Sequence, residues 1–248
     1  MCTVVVSFDP ESAFPLLLAS IRDEFDSRAW ERPGAWWPDL GKDIKGGLDR
    51  VGGGTWLAVD TAKAAVSVVL NRNERDASGS GPLRSRGILP LLALSVGSRW
   101  SEGVAPHDLA PFNLLLADRT GANWWRHTGG DKLSLAEVQP GVHMLTWADL
   151  DDMSHARQEA WLPRFRGSPR PRISMSAAPH DTWSSWMDLL CERPSDPPKH
   201  PPLSIECLPG LPGFRTICAS LVAVSSTGAI RFDFAVAPFS RFNWSRIV

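Results

Sequence analysis

Tyrosine is missing altogether from these 248 residues, and cysteine is scarce. The four cysteines, Cys2, Cys191, Cys207 and Cys218, stand far apart with no C-x-x-C pair, so neither a zinc site nor a disulfide framework is indicated. A Cys191–Cys207 bridge is the pairing left open, and a reducing compartment disfavours it. No apolar run reaches the ~18 residues of a membrane span. The first residues lack the basic flank and long apolar stretch of a secretory signal. Charge of either sign is nearly balanced, with a net charge of −1 and a pI near 6.6, and no basic block or stripe stands out. A nucleic-acid partner is therefore not expected. These absences together predict a soluble, cytoplasmic protein with no membrane span. They leave the oligomeric state open.

What the chain does have is tryptophan, twelve in all, several in clusters: Trp30 with Trp36 and Trp37, Trp124 with Trp125, Trp183 with Trp186. Indoles of this number either pack a core or rim a pocket for a flat, apolar ligand. The length suits one layered domain able to bury a sizeable core. Residues 2–8 read as a strand, 14–21 as a second apolar run, and 22–54 as polar and irregular. A hairpin signature follows, 55–60 with 64–70 across Asp60-Thr61-Ala62-Lys63. Residues 73–83 read as a loop with Ser78-Gly79-Ser80-Gly81-Pro82 at its tip. Helical spacing covers 85–96 behind Ser85 as cap. Residues 112–117 and 123–128 make another hairpin. A helix is expected over 149–161, ended by Pro163, and a second over 181–191, capped by Asp181. Residues 164–173 read as a basic loop, and 193–202, with five prolines, as a stiff connection. Strands 215–224 and 230–236 close the chain, and no internal repeat is present. Hairpins at both ends with helices between do not follow βαβ order; they suit an α+β fold of antiparallel sheets packed face to face with helices outside.

Cys2 carries the most chemistry. Removal of Met1 would give one residue both a thiol and a free α-amine. That amine titrates at about pH 8 and can take the thiol proton, so nucleophile and base would share a residue. If the strand at 14–21 pairs with the strand at 2–8, Arg22, Asp23 and Glu24 come close to Cys2. Alternation would then send Arg22 and Glu24 to one face and Asp23 to the other. A guanidinium beside a thiol favours thiolate. The other reading of the cluster is a solvated strand end.

In order, Cys2, Arg22-Asp23-Glu24-Phe25, Gly53-Gly54-Thr55-Trp56-Leu57, Asn71, Ser85-Arg86-Gly87 and Phe112-Asn113-Leu114 resemble the NRDE family (transport and Golgi organisation protein 2-like) of the Ntn-hydrolase superfamily. The resemblance covers roughly residues 1–145, with an echo at Gly213-Phe214-Arg215. It implies a single domain over 1–248 with a four-layer αββα sandwich and a divergent proline-rich insertion around 164–202. It implies Cys2 as nucleophile, Arg22 and Asp23 holding the thiolate and ammonium, Asn71 as oxyanion donor and Arg215 as a carboxylate-binding or polarising cation. Asn71 also reads as a turn cap and Arg215 as a surface residue. Two family asparagines are replaced, by Ile21 and Trp147. The function implied is hydrolysis or acyl transfer at an amide or activated acyl bond, with no cofactor and no metal. The alternative is a non-enzymatic haem or acyl-lipid carrier, in which His143 would be a candidate axial ligand. Either way the partner is a small amide, acyl or haem-like molecule.

Overall fold

The computed structural model describes residues 2–74, 83–193 and 200–248. Most of the 73–83 loop and of the 193–202 connection, and Met1 itself, lie outside the described residues. The chain opens with β1 (Thr3–Phe8) and β2 (Leu16–Phe25), then β3 (Trp30–Gly34), β4 (Ile44–Asp49), β5 (Leu57–Asp60) and β6 (Ala65–Asn71). Helix α1 (Leu89–Val96) leads to β7 (Phe112–Ala117), β8 (Ala122–His127), β9 (Ser134–Glu137) and β10 (Gly141–Leu145). Helices α2 (Ala156–Gly167), α3 (Pro179–Thr182) and α4 (Ser184–Leu190) precede β11 (Phe214–Val224), β12 (Ile230–Val236) and β13 (Ser245–Arg246).

Two antiparallel sheets result, in the orders β10-β1-β2-β11-β12-β13 and β3-β4-β5-β6-β7-β8-β9. Strand alternation divides the core in two. Val4, Val6, Leu16 and Leu18 meet Leu57, Val59, Val66 and Val68 between the sheets. Val5, Leu17, Ala19 and Ile21 face the other way, onto Trp161, Phe165, Trp186 and Met187 of α2 and α4. Helix α1 covers the outer face of the larger sheet, with Leu89 and Ala93 against Val69 and Leu114. The architecture is an α+β sandwich with helices on both outer faces, as expected. No helix among the described residues is long and apolar enough to cross a membrane.

The structure departs from the sequence reading at several elements. Residues 22–54 are largely strand. β3 is an edge strand, where Pro33 has no inner ladder bond to withhold. β4 carries Gly46 and Gly47 because neighbours occupy the space of their side chains. A Cβ on Gly47 would sit 2.1 Å from the Trp56 ring, and one on Gly46 2.5 Å from the Leu57 carbonyl. The helix expected over 149–161 runs from Ala156 to Gly167, because 149–155 is spent in turns closed by Asp149 and Asp152 carbonyls. Pro163 lies inside this helix on its exposed face, so the Glu159 carbonyl it leaves without an intrahelical N–H faces solvent. Asp181 caps neither α3 nor α4; α3 starts at Pro179, whose fixed φ suits a first turn.

Candidate active site

Cys2 stands one residue ahead of β1, on the same face as Val4 and Val6. It is half-buried against the layer between the sheets. Pairing of Thr3 with Ile21 carries β2 past it, and the thiol donates to the Asp23 carbonyl at 3.7 Å. Burial pushes the Cys2 thiol up; the Asp23 charge adds to this, and the Asp23 carbonyl bond and the Arg22 guanidinium oppose it.

The next two residues of β2 leave the strand in opposite directions. Arg22 enters the inter-sheet side and lays its guanidinium 4.1 Å over the Trp56 ring. Trp56 in turn lies on the bare backbone of Gly47. Arg22 Nη2 reaches Glu24 at 3.8 Å. Its Nη1 is buried and makes no hydrogen bond, to Cys2 Sγ or to any other described group. Asp23 turns toward the helices. Thr216 Oγ1 donates to its Oδ1 at 2.6 Å, and Arg157 Nη1 donates to its Oδ2 at 3.0 Å and to Thr3 Oγ1 at 2.9 Å.

Two clefts open on Cys2. The larger, about 630 Å³, is bordered by Arg22, Arg28, Trp56, Asn71, Arg84 and Arg86. The smaller, about 320 Å³, is bordered by Asp23, Asn71, Arg72, Trp147, Leu211 and Phe214. Asn71, at the exposed end of β6, borders both, and its carboxamide makes no hydrogen bond among the described residues. The structure thus gathers Cys2, Arg22, Asp23 and Asn71. It does not bring Arg215 to them. Arg215 sits opposite Glu24, half-exposed and 3.9 Å from Asp26. It lines a separate cleft of about 340 Å³ with Cys191 and Glu206. A register break between Thr216 and Cys218 accompanies this placement at the end of β11.

The glycine run 52–54 builds one wall of the larger cleft. A Cβ on Gly54 would lie 2.3 Å from the Gly87 carbonyl, which accepts from Thr55 N–H at 2.8 Å. A Cβ on Gly52 would lie 2.7 Å from Ser85 Oγ. Only bare backbone lets the 84–87 segment close here and set Arg84 and Arg86 at the cleft. Asp49 holds the same turn through the N–H groups of Val51 and Gly52 and pairs with Arg28 at 2.7 Å. Trp147 is fixed from below: Asn113 Nδ2 donates to the carbonyls of Thr146 and Ala148 at 2.9 and 2.8 Å.

Arg157 and Thr216 escaped the sequence reading. They lie 134 and 193 residues from Asp23, and no local spacing marks them. His143, the candidate haem ligand, has both ring nitrogens engaged, with Asp151 at 2.7 Å and the Gln139 carbonyl at 2.9 Å. It borders neither cleft at Cys2. Among the described residues no group of three or more His, Cys, Asp or Glu side chains is arranged to hold a metal ion.

No curated protein matches the chain significantly. Comparison with protein families matches residues 1–166 to Transport and Golgi organisation 2. That span contains Cys2, Arg22, Asp23, Asn71 and all of the seven-stranded sheet, and it ends within α2. β11, β12 and β13, which complete the other sheet, lie beyond it. Over two thirds of its length, then, this chain belongs to the Transport and Golgi organisation 2 family.

Proposed function

We propose that the chain is an N-terminal-nucleophile hydrolase or acyltransferase, acting on an amide or activated acyl bond through Cys2. The observation that carries this reading is the position of Cys2. It heads an inner strand, between two sheets, at the junction of two open clefts. Trimming of Met1 would free the Cys2 amine. The amine accepts the thiol proton as Sγ attacks the carbonyl carbon, forming a C–S bond and moving the carbonyl electron pair onto oxygen. Asn71 Nδ2 donates to that oxyanion; one such donor stabilises the transition state by about 3–4 kcal/mol. Collapse breaks the bond to the leaving group, which takes the proton back from the amine. Water or an acceptor nucleophile then releases the acyl group from sulfur. Arg22 keeps the cleft positive, and Asp23, locked by Arg157 and Thr216, fixes the carbonyl that holds the resting thiol. Cys2→Ala and Cys2→Ser, assayed against a panel of amides and thioesters, are expected to lose all turnover. Unchanged turnover overturns the reading, as does an intact mass that retains Met1.

One observation favours a second reading, ligand carriage without turnover. A further cleft of about 560 Å³, lined by Ile205, Leu208 and several prolines, is mostly apolar and shares Leu208 with the smaller Cys2 cleft. A haem or acyl-lipid titration that gives saturable binding, unchanged in Cys2→Ala, would support carriage; no binding would rule it out.

A further inference from the structure

We propose that the larger cleft beside Cys2 is an anion subsite, which selects substrates bearing a carboxylate or phosphate within reach of the carbonyl that Cys2 attacks. The word substrate rests on the reading of Cys2 as nucleophile; the anion subsite does not.

Arg22 Nη1 is the centre of the subsite. The residue is 4% exposed, its neighbour Nη2 leans on Glu24, and Nη1 has no hydrogen-bond partner among the described residues. A buried donor on a charged group left unsatisfied is destabilising. The chain nonetheless holds it there firmly. Trp56 supports one face of the guanidinium, and Gly47 lets Trp56 lie flat. Stacking constrains the planar group and leaves one edge of the fork for a ligand. The unpartnered Nη1 suits one oxygen of a carboxylate or phosphate in a charge-assisted hydrogen bond.

The charges around it point the same way. Three acidic side chains border this cleft, and each is already engaged. Asp23 is bound by Arg157 and Thr216 from the opposite face of the sheet. Asp49 is bound by Arg28 and two backbone N–H groups. Glu24 lies within 4 Å of both Arg22 and Arg28. Against these stand Arg22, Arg28 and Arg84, and Arg84 has no ion-pair partner among the described residues. A concave wall with surplus guanidinium charge concentrates anions at its floor. Cys2 is on that floor, so an anion held by Arg22 lies beside the reacting sulfur.

The test uses two alkylating reagents of nearly the same shape, iodoacetate with its carboxylate and neutral iodoacetamide. Their rate ratio at one thiol cancels that thiol's degree of ionisation and reports its taste for anions. Cys207, exposed on the same chain, is the internal reference. Rates at both sites are read by peptide mass spectrometry on the full chain. The iodoacetate-to-iodoacetamide ratio at Cys2 is expected to exceed that at Cys207 by about tenfold at low salt. It should fall toward the Cys207 value in Arg22→Gln, in Arg84→Ala and in high salt. Arg84 is a surface residue, so its variant keeps the test decisive should Arg22→Gln fail to fold. Glutarate and inorganic phosphate, added separately, should each slow iodoacetate at Cys2, and the more potent of the two names the oxyanion preferred. Equal ratios at Cys2 and Cys207, a ratio unmoved by Arg84→Ala, or protection by neither anion overturns the subsite. Turnover retained in Cys2→Ala would remove the nucleophile and leave these alkylation results standing.

Discussion

Arg157 Nη1 lies 3.0 Å from Asp23 Oδ2, with both side chains almost sealed from water, and so ties α2 to the strand beside the nucleophile. A buried pair of this kind adds little over well-packed apolar residues. Removing one partner leaves the other charged and stranded. Arg157→Met is therefore expected to lower stability by about 3–5 kcal/mol. Urea denaturation should show Asp23→Asn recovering part of the loss in the double variant. A change of about 1 kcal/mol or less, as for a surface pair, would mean that the contact is not sealed.

Gly47→Ala tests the floor of the anion site. Its methyl would enter the space of the Trp56 ring, 2.1 Å away, where no rotamer of the alanine can avoid it. Overpacking of this sort destabilises by about 1–3 kcal/mol. Denaturant titration should show that loss, with a changed iodoacetate-to-iodoacetamide ratio at Cys2 as Arg22 loses its support. A stable variant with an unaltered ratio would show that Trp56 does not position Arg22.

Acid should weaken the fold through Asp151. Burial pushes its carboxyl up, but hydrogen bonds from His143 and Met144 N–H and the charge of Arg166 outweigh burial and hold it below the usual carboxylate range. A carboxyl depressed in the folded state contributes stability that is fully present above its unfolded pKa of about 3.9, and is lost as pH falls through the folded value. Thermal unfolding from pH 6 to pH 3 should show a steeper decline in the parent than in Asp151→Asn. Parallel curves would count against the linkage.

The Cys2 thiol should ionise late. Iodoacetamide reacts with thiolate, so its pH–rate profile at Cys2 should have a midpoint above the ordinary thiol value of about 8.5. Arg22→Gln should move that midpoint higher still, because the guanidinium acts against burial. A midpoint below the ordinary value in the chain carrying Met1 would contradict the burial of the sulfur.

Asn113 allows a test of rigidity. It accepts from Arg72 Nη1 and Trp124 Nε1 at 2.9 and 3.0 Å while donating to the two carbonyls that flank Trp147. Asn113→Ala strands several buried groups at once and should destabilise by at least about 1–3 kcal/mol, the figure for one unsatisfied group. Hydrogen exchange around residues 146–148 should quicken with it; protection equal to the parent's would refute the clamp.

The hairpins were legible because their strands carry period-two or fully apolar runs bounded by turn residues, as at 57–60, 65–71 and 230–236. Thr3-Val4-Val5-Val6 and the run from Leu16 gave the pairing that sets Arg22 and Asp23 beside Cys2, and alternation gave their opposite faces. Residues 22–54 were opaque for a definite reason. Gly46 and Gly47 read as breakers, yet they are glycine because Trp56 and Leu57 press on their backbone. β9 and β10 escaped notice because β9 is exposed throughout and β10 is a short edge strand. Pro163 misled because its place on the exposed face of a helix cannot be known before the helix is docked. In the site, the residues fixed by nearby strand pairing were readable, while Arg157 and Thr216 arrive by tertiary packing from distant segments. Arg215 was placed by motif likeness alone, and the geometry of β11 set it elsewhere.

β2 is flanked by β1 on one side and by β11 on the other, and Thr216 of β11 bonds Asp23 across 193 residues. During synthesis the strand carrying Arg22 and Asp23 therefore waits, one edge open, until β11 has left the ribosome. A nascent chain stopped before β11 would show a sticky, aggregation-prone ladder where the finished molecule keeps its chemistry, so the reactive centre matures only with the last hairpin.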